Sequence, residues 1–234
     1  MTTNFSITRD DIITAALRKL GVVAQGESPT SDMITEAAFA LNTLVKSWEA
    51  DGMPLWALRT TPIPLSGGVA SYTIGVGQTI DTDKPLKVIQ AWNRTLSSNV
   101  DLPMRIITKE EYAILGNKTS SGNPIQLYYE PQKDLGVITV FPVPDATYAV
   151  SNVLYITYQR PFEDINTSTD VPDFPQEWYD AVIYGLACRL APEYGVPAES
   201  RQLLVREASD IKAGALSFGT EEGSMFFQRE TRMW

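Results

Sequence analysis

The sequence predicts an α+β protein: a helical bundle built from both chain ends, an inserted antiparallel β-sandwich or barrel-like domain, and an extended C-terminal tail. Three observations carry this. Apolar residues recur with a helical period near both ends of the chain. They alternate between Pro- and Gly-rich turns through its middle. The last 18 residues lose all periodicity yet stay rich in aromatics. The segments are residues 1–56, 57–171, 172–216 and 217–234.

Thr8 opens the first helix, because Asp10 and Asp11 follow in its first turn, where carboxylates favour the positive end of the helix dipole. Ile13, Leu17 and Leu20 mark its apolar face and Gly21 its stop. A second helix starts near Ser31 with the stripe Ile34, Ala37, Ala38, Leu41, Leu44, Val45 and Trp48; Gly52 and Pro54 end it. From Leu58 to Phe162 the pattern becomes one of short strands. The candidates are Thr60–Leu65, Ser71–Ile74, Leu86–Trp92, Leu102–Ile107, Ile125–Glu130, Val137–Phe141 and Val153–Tyr158. Thr108-Lys109-Glu110-Glu111 reads as a capping box for one short helix among them. Helices return at Pro175, in the first helical position, with Trp178, Ala181, Val182, Gly185, Leu186 and Leu190 beyond it. This helix is apolar over most of its circumference, as a central bundle helix should be, and Cys188 within it reads as an inert core thiol. A last helix spans about Ala198 to Leu216, with Leu204, Ala208, Ile211 and Ala215 on one face.

Composition removes several chemistries. The chain has no His, which excludes Ser-His-Asp and Cys-His catalysis and His-containing zinc sites. A single Cys allows no intrachain disulfide and no Cys cluster for a metal. The N-terminus shows no secretion signal, and no apolar run approaches the ~20 residues of a membrane span. The expectation is therefore a protein with no membrane contact, made in the cytoplasm. Net charge is −9, distributed as −3 over residues 1–52, +1 over 53–160, −6 over 161–215 and −1 over the remainder. Such a surface repels a nucleic-acid backbone rather than binding it.

The acid pairs have local explanations. Asp10/Asp11 and Glu110/Glu111 sit at helix starts, and Glu221/Glu222 in a solvated tail. Neighbours in sequence do not straddle a glycosidic bond as a glycosidase needs. Gly75-Val76-Gly77-Gln78-Thr79-Ile80 begins like a phosphate loop but lacks its third Gly and the following helix. No catalytic residue, cofactor site or metal site is assigned. Trp48, Trp56 and Trp178 mark the helix–insert junctions and read as packing residues.

The tail is different. Gly219 and Gly223 interrupt it, yet it holds Phe218, Met225, Phe226, Phe227, Met233 and Trp234, too many apolar groups for a solvated linker. It either folds back on its own domain or docks on another chain. In the second case Arg229 and Arg232 add charged contacts to an acidic partner groove.

An ordered series of local patterns adds a resemblance. It comprises Ala16-Leu17-Arg18-Lys19-Leu20-Gly21-Val22, Gly26-Glu27-Ser28-Pro29, Leu41-Asn42-Thr43-Leu44-Val45-Lys46-Ser47-Trp48 and Asp51-Gly52-Met53-Pro54-Leu55-Trp56. In the insert follow Tyr72-Thr73-Ile74-Gly75, Lys84-Pro85-Leu86, Glu110-Glu111-Tyr112 and Phe141-Pro142-Val143-Pro144. The series ends with Leu186-Ala187-Cys188-Arg189-Leu190-Ala191-Pro192-Glu193-Tyr194-Gly195. Over about residues 5–215 this resembles the head-to-tail adaptors of tailed bacteriophages, also called tail accessory factors or packaged-DNA stabilisation proteins. More distantly it is similar to the tail tubular proteins of short-tailed phages.

The resemblance implies a homo-oligomeric ring, usually of twelve copies, beneath the portal protein at the virion's head–tail junction. It implies that packaged double-stranded DNA passes through the lumen without sequence-specific binding. Downstream tail, nozzle or tail-fibre proteins attach below, and a C-terminal segment climbs into the portal. Two alternatives stay open from the residues alone. One is a cell-wall hydrolase using paired carboxylates, although the acids here match no motif that could be carried over. The other is a receptor- or carbohydrate-binding tail module with an aromatic platform drawn from Trp92, Tyr128 and Tyr129, of which the two tyrosines fall on opposite strand faces.

Overall fold

The structure is a computed structural model, and it describes residues 5–51 and 55–218. It is mixed α+β. In chain order the first elements are α1 (Arg9–Lys19), α2 (Ser31–Asp51), β1 (Leu58–Pro64), β2 (Ser71–Gly75), β3 (Ile80–Asp81), β4 (Lys87–Thr95), β5 (Val100–Pro103) and β6 (Arg105–Ile107). There follow α3 (Lys109–Ala113), β7 (Ser121–Gly122), β8 (Gln126–Pro131), β9 (Gly136–Phe141), β10 (Val143–Pro144), α4 (Ala146–Ser151), β11 (Asn152–Gln159), α5 (Tyr179–Leu190) and α6 (Ala198–Phe218). The chain divides into a helical unit, residues 1–44 with 165–234, and a β unit, residues 45–164.

In the helical unit, α1 packs on α5 and α5 on α6. The α1 start is the capping box expected from sequence. The Asp11 N–H donates to Thr8 Oγ1 at 3.3 Å, and the Thr8 N–H donates back to Asp11 Oδ2 at 2.9 Å. Ile12, Ile13, Ala16 and Leu17 are buried on this helix, and Ala37, Leu41 and Leu44 on α2. Helix α5 buries eight of its twelve residues, in keeping with its apolar circumference. It starts later than expected. Pro175 is extended (ψ 154°) and precedes a single 3₁₀ turn, Gln176–Trp178, before the α-helix begins. Polar ties cross the unit. Lys19 Nζ donates to the Tyr184 hydroxyl at 2.8 Å, and that hydroxyl donates to Glu207 Oε1 at 3.0 Å, linking α1, α5 and α6. Asn42 brackets Ile165, donating to its carbonyl at 3.1 Å and accepting its N–H at 3.0 Å.

The β unit is a sandwich of two sheets over one core; the described residues form no closed barrel. The four-stranded sheet, β1-β11-β4-β5, is antiparallel throughout. The five-stranded sheet, β3-β2-β9-β8-β6, is mixed, because its outer pairs β2–β3 and β6–β8 are parallel. A parallel two-residue pair joins β10 to β7. Ile63, Leu154, Ile156 and Tyr158 from one sheet meet Ile74, Leu127, Ile138 and Val140 from the other.

The expected strand Leu102–Ile107 is two strands in two different sheets. Pro103 has no N–H with which to extend the β5 ladder, and the chain crosses to the second sheet there. Helix α4 was not expected. Its signal is Asp145, whose carboxylate caps the Tyr148 N–H at 2.7 Å.

Candidate functional site

Of the two described acid pairs, Asp11 and Glu111 hold backbone N–H groups, and Asp10 pairs with Arg9. The Thr8 hydroxyl and backbone N–H keep the Asp11 carboxyl below its ordinary range. Glu111 is likewise lowered, first by the Thr108 backbone N–H and then by the Arg105 guanidinium that it also binds. Each is thus fully ionised and engaged, the opposite of what a general acid requires. Glu221 and Glu222 lie outside the described residues. In the Gly75–Ile80 loop the Gly77 N–H is already taken by Asp81 Oδ1 at 2.8 Å, so the loop satisfies its own donor. No group of three or more His, Cys, Asp or Glu side chains suited to a metal ion occurs among the described residues. No helix there is long and apolar enough to cross a membrane.

The aromatic platform considered for the insert is not assembled. Tyr128 is buried and stacks on Tyr112, with ring centroids 5.2 Å apart. Tyr129 is half-buried and donates its hydroxyl to the Pro85 carbonyl. Trp92 lies on the outer face of the four-stranded sheet, stacked on Tyr155 at 5.7 Å. Arg94 covers that Tyr155 ring and pairs in a bidentate manner with Asp101 at 2.6 and 2.7 Å. The three residues therefore serve three separate contacts. Trp56 stacks on Phe162 at 4.8 Å and Trp178 is buried beside Phe174, which are packing roles.

Exposed apolar side chains occur on both units, and on the helices they flank a groove. On α6 the expected stripe is the covered side: Ala215 is buried, and Leu204, Ala208 and Ile211 are half-buried. A second apolar flank, Ala198, Val205 and Leu216, shares one side of the helix by spacing and stays exposed. Beside it runs a groove of about 630 Å³, lined from α5 and its following turn by Cys188, Ala191 and Pro192 and from α6 by Ala198, Arg201 and Val205. Cys188 is thus a half-buried groove residue rather than a core thiol. Burial raises its pKa, which keeps it protonated and unreactive. Sequence reasoning missed this groove because it followed one stripe per helix.

Helix α6 ends at Phe218, whose side chain is not described. The remaining docking candidates, Met225, Phe226, Phe227, Arg229, Arg232, Met233 and Trp234, lie outside the described residues.

No curated protein matches this chain significantly. The model of one family, described as SU10 adaptor protein, matches residues 7–218, nearly the whole chain and all of the α and β elements above. The chain therefore belongs to the SU10 adaptor family, a family of phage head-to-tail adaptors that are structural parts of the virion.

Proposed function

We propose that the chain is a ring-forming connector, of twelve copies, seated beneath the portal of a phage virion. It extends or closes the DNA exit channel and attaches tail components. The observation that carries this reading is the adaptor-family match over residues 7–218. In this reading residues 1–56 and 172–216 form one four-helix layer, the ring wall, and residues 57–171 are its β insert. Residues 1–56 and 172–216 together hold 8 basic and 14 acidic residues. A wall that presents this charge to the lumen, repeated twelvefold, repels DNA phosphates and lets the duplex slide during ejection.

Residues 217–234 dock on the portal through Phe218, Met225, Phe226, Phe227, Met233 and Trp234, with Arg229 and Arg232 meeting acidic groups there. Burial of Phe226, Phe227 and Trp234 contributes roughly 1.5–3 kcal/mol each before the cost of ordering the segment. Repetition around a ring raises the effective concentration of each further tail. The chain makes no bond and breaks none. Peptidoglycan turnover that vanishes when one carboxylate is changed to its amide would overturn that statement.

The direct test is the mass of the assembly formed with the portal protein, by native mass spectrometry. Multiples of the 25.9 kDa chain are expected on each portal ring. A single copy per portal, or none, would sink the reading.

A further inference from the structure

A ring built from one kind of chain needs two different surfaces that fit each other, one on each side of every subunit. Such a pair lies within the helical unit. The receiving surface is the α5–α6 groove, with its apolar walls Val205 and Ala198 and its floor at Cys188 and Ala191. It carries two arginines, Arg201 and Arg206, against one carboxylate, Asp210. The Arg201 Nε–H is buried and has no acceptor among the described residues, and Arg206 stands exposed beside it. A buried guanidinium donor without an acceptor is costly, and a carboxylate is its best partner.

The inserting surface is on α2. Ala37, Leu41 and Leu44 are buried, and Phe39 projects from the opposite side, 77% exposed. It is the most exposed aromatic side chain among the described residues. Glu36 lies three residues before it and Asp32 seven before it, so both carboxylates share its side of the helix. Phe39 is thus an exposed phenyl ring with two carboxylates on its side of the helix. Large aromatics seated in a pocket with charged neighbours are what anchor protein interfaces.

We infer that Phe39 of one copy inserts into the α5–α6 groove of the next, with Glu36 accepting from the Arg201 guanidinium of that copy. This rests on the ring reading and assigns it a subunit interface. Two copies each of charge −9 repel at long range. The acid-to-arginine pairing supplies local attraction and fixes the register of the contact. Knob and groove are different surfaces, so the contact is head to tail and each copy retains a free groove for a further copy.

Cross-linking tests it in the full chain, alone or on portal rings. Chains carrying Cys188→Ser with either Thr43→Cys, one turn from Phe39 on the same side of α2, or Gln202→Cys, at the groove, are mixed and treated with a short bismaleimide. The mixture yields a covalent dimer, and neither variant does so alone. A dimer from the Thr43→Cys variant alone means a symmetric contact and overturns the proposal. Glu36→Arg and Arg201→Glu, placed singly in these chains, each reduce cross-linking at least tenfold, and their combination in one chain restores it. Multiples of the chain mass without the mixed cross-link overturn this interface while the ring stands. A chain that stays monomeric with and without portal overturns the ring reading and the interface with it.

Discussion

In the β unit, both edges of the four-stranded sheet carry proline: Pro62 and Pro64 on β1, Pro103 on β5. Proline withholds the N–H that a further strand would need, so neither edge invites strand pairing. In the helical unit, α6 covers one flank and leaves Val205 and Leu216 exposed. Charge follows the same division. The β unit holds 10 basic and 12 acidic residues, the helical unit 9 and 16. Both units leave apolar side chains exposed, Val76, Ile114 and Val150 in one and Phe39, Leu203 and Val205 in the other, but the helical groove belongs to the unit with the larger net charge. A sheet whose edges block further strand pairing and a helical surface that stays open can thus share one chain.

The largest expected effect separates the two units by equivalent truncations. Ile156 is fully buried between the two sheets. Ile156→Ala should cost about 2–5 kcal/mol in denaturant unfolding, through lost transfer energy and a residual cavity. Val205→Ala, at 56% exposure, should change the free chain by under about 0.5 kcal/mol. Its cost should appear only in assembly. A Val205→Ala chain as unstable as Ile156→Ala would mean that the α6 flank is part of its own unit's core.

Next in size is Gly136→Ala. A Cβ there would lie 2.5 Å from Tyr129 Cε2 and 2.6 Å from its hydroxyl oxygen. Tyr129 cannot simply swing away, since its hydroxyl is tied to Pro85. Overpacking of this kind should cost about 1–3 kcal/mol. An unchanged melting temperature would show that the β unit is looser than its packing indicates.

How legible these features were in the sequence follows from their range. The capping boxes at Thr8 and Thr108 are complete within four residues, so local pattern sufficed. The α5 stripe was legible because apolar residues surround the whole helix. The parallel edge pairs β2–β3 and β6–β8 depend on where distant segments meet, which no local period encodes. The break at Pro103 had a signal, the missing N–H, but the apolar residues on both sides masked it. Of the site, the exposed Phe39 and the α6 groove were hidden. Exposure of an apolar residue is a property of what fails to pack on it, not of the residue.

The two capping boxes offer a paired test. Thr8→Ala and Thr108→Ala should each cost about 0.5–2 kcal/mol, seen as lower melting temperatures. Both carboxylates have lowered pKa values in the folded chain. Their contribution is therefore present above the unfolded values, 3.8 for Asp11 and 4.5 for Glu111, and is lost as pH falls through the lower folded values. The Thr8→Ala chain should lose less stability than wild type on acidification. An identical acid profile would remove the Thr8–Asp11 pair from the account.

The smallest effect is at the alkaline end. Burial pushes the Tyr129 hydroxyl up to about 12 from an ordinary 10.0. Between these values the unfolded chain has released this proton while the folded chain still holds it, so stability falls as pH rises. Lys19 in the helical unit is also raised, chiefly by its hydrogen bond with the Tyr184 hydroxyl, but it is mostly exposed and solvent screens it. The β unit should therefore supply more of the alkaline slope. Tyr129→Phe removes the titrating group at the loss of one hydrogen bond to Pro85. Its melting temperature should start slightly lower at pH 9 and fall less steeply above pH 10 than that of wild type. Lys19→Met should leave the slope nearly as it was. If Lys19→Met flattens the alkaline profile and Tyr129→Phe does not, the sensitive polar contact lies among the helices, and alkaline sensitivity no longer sets the β unit apart.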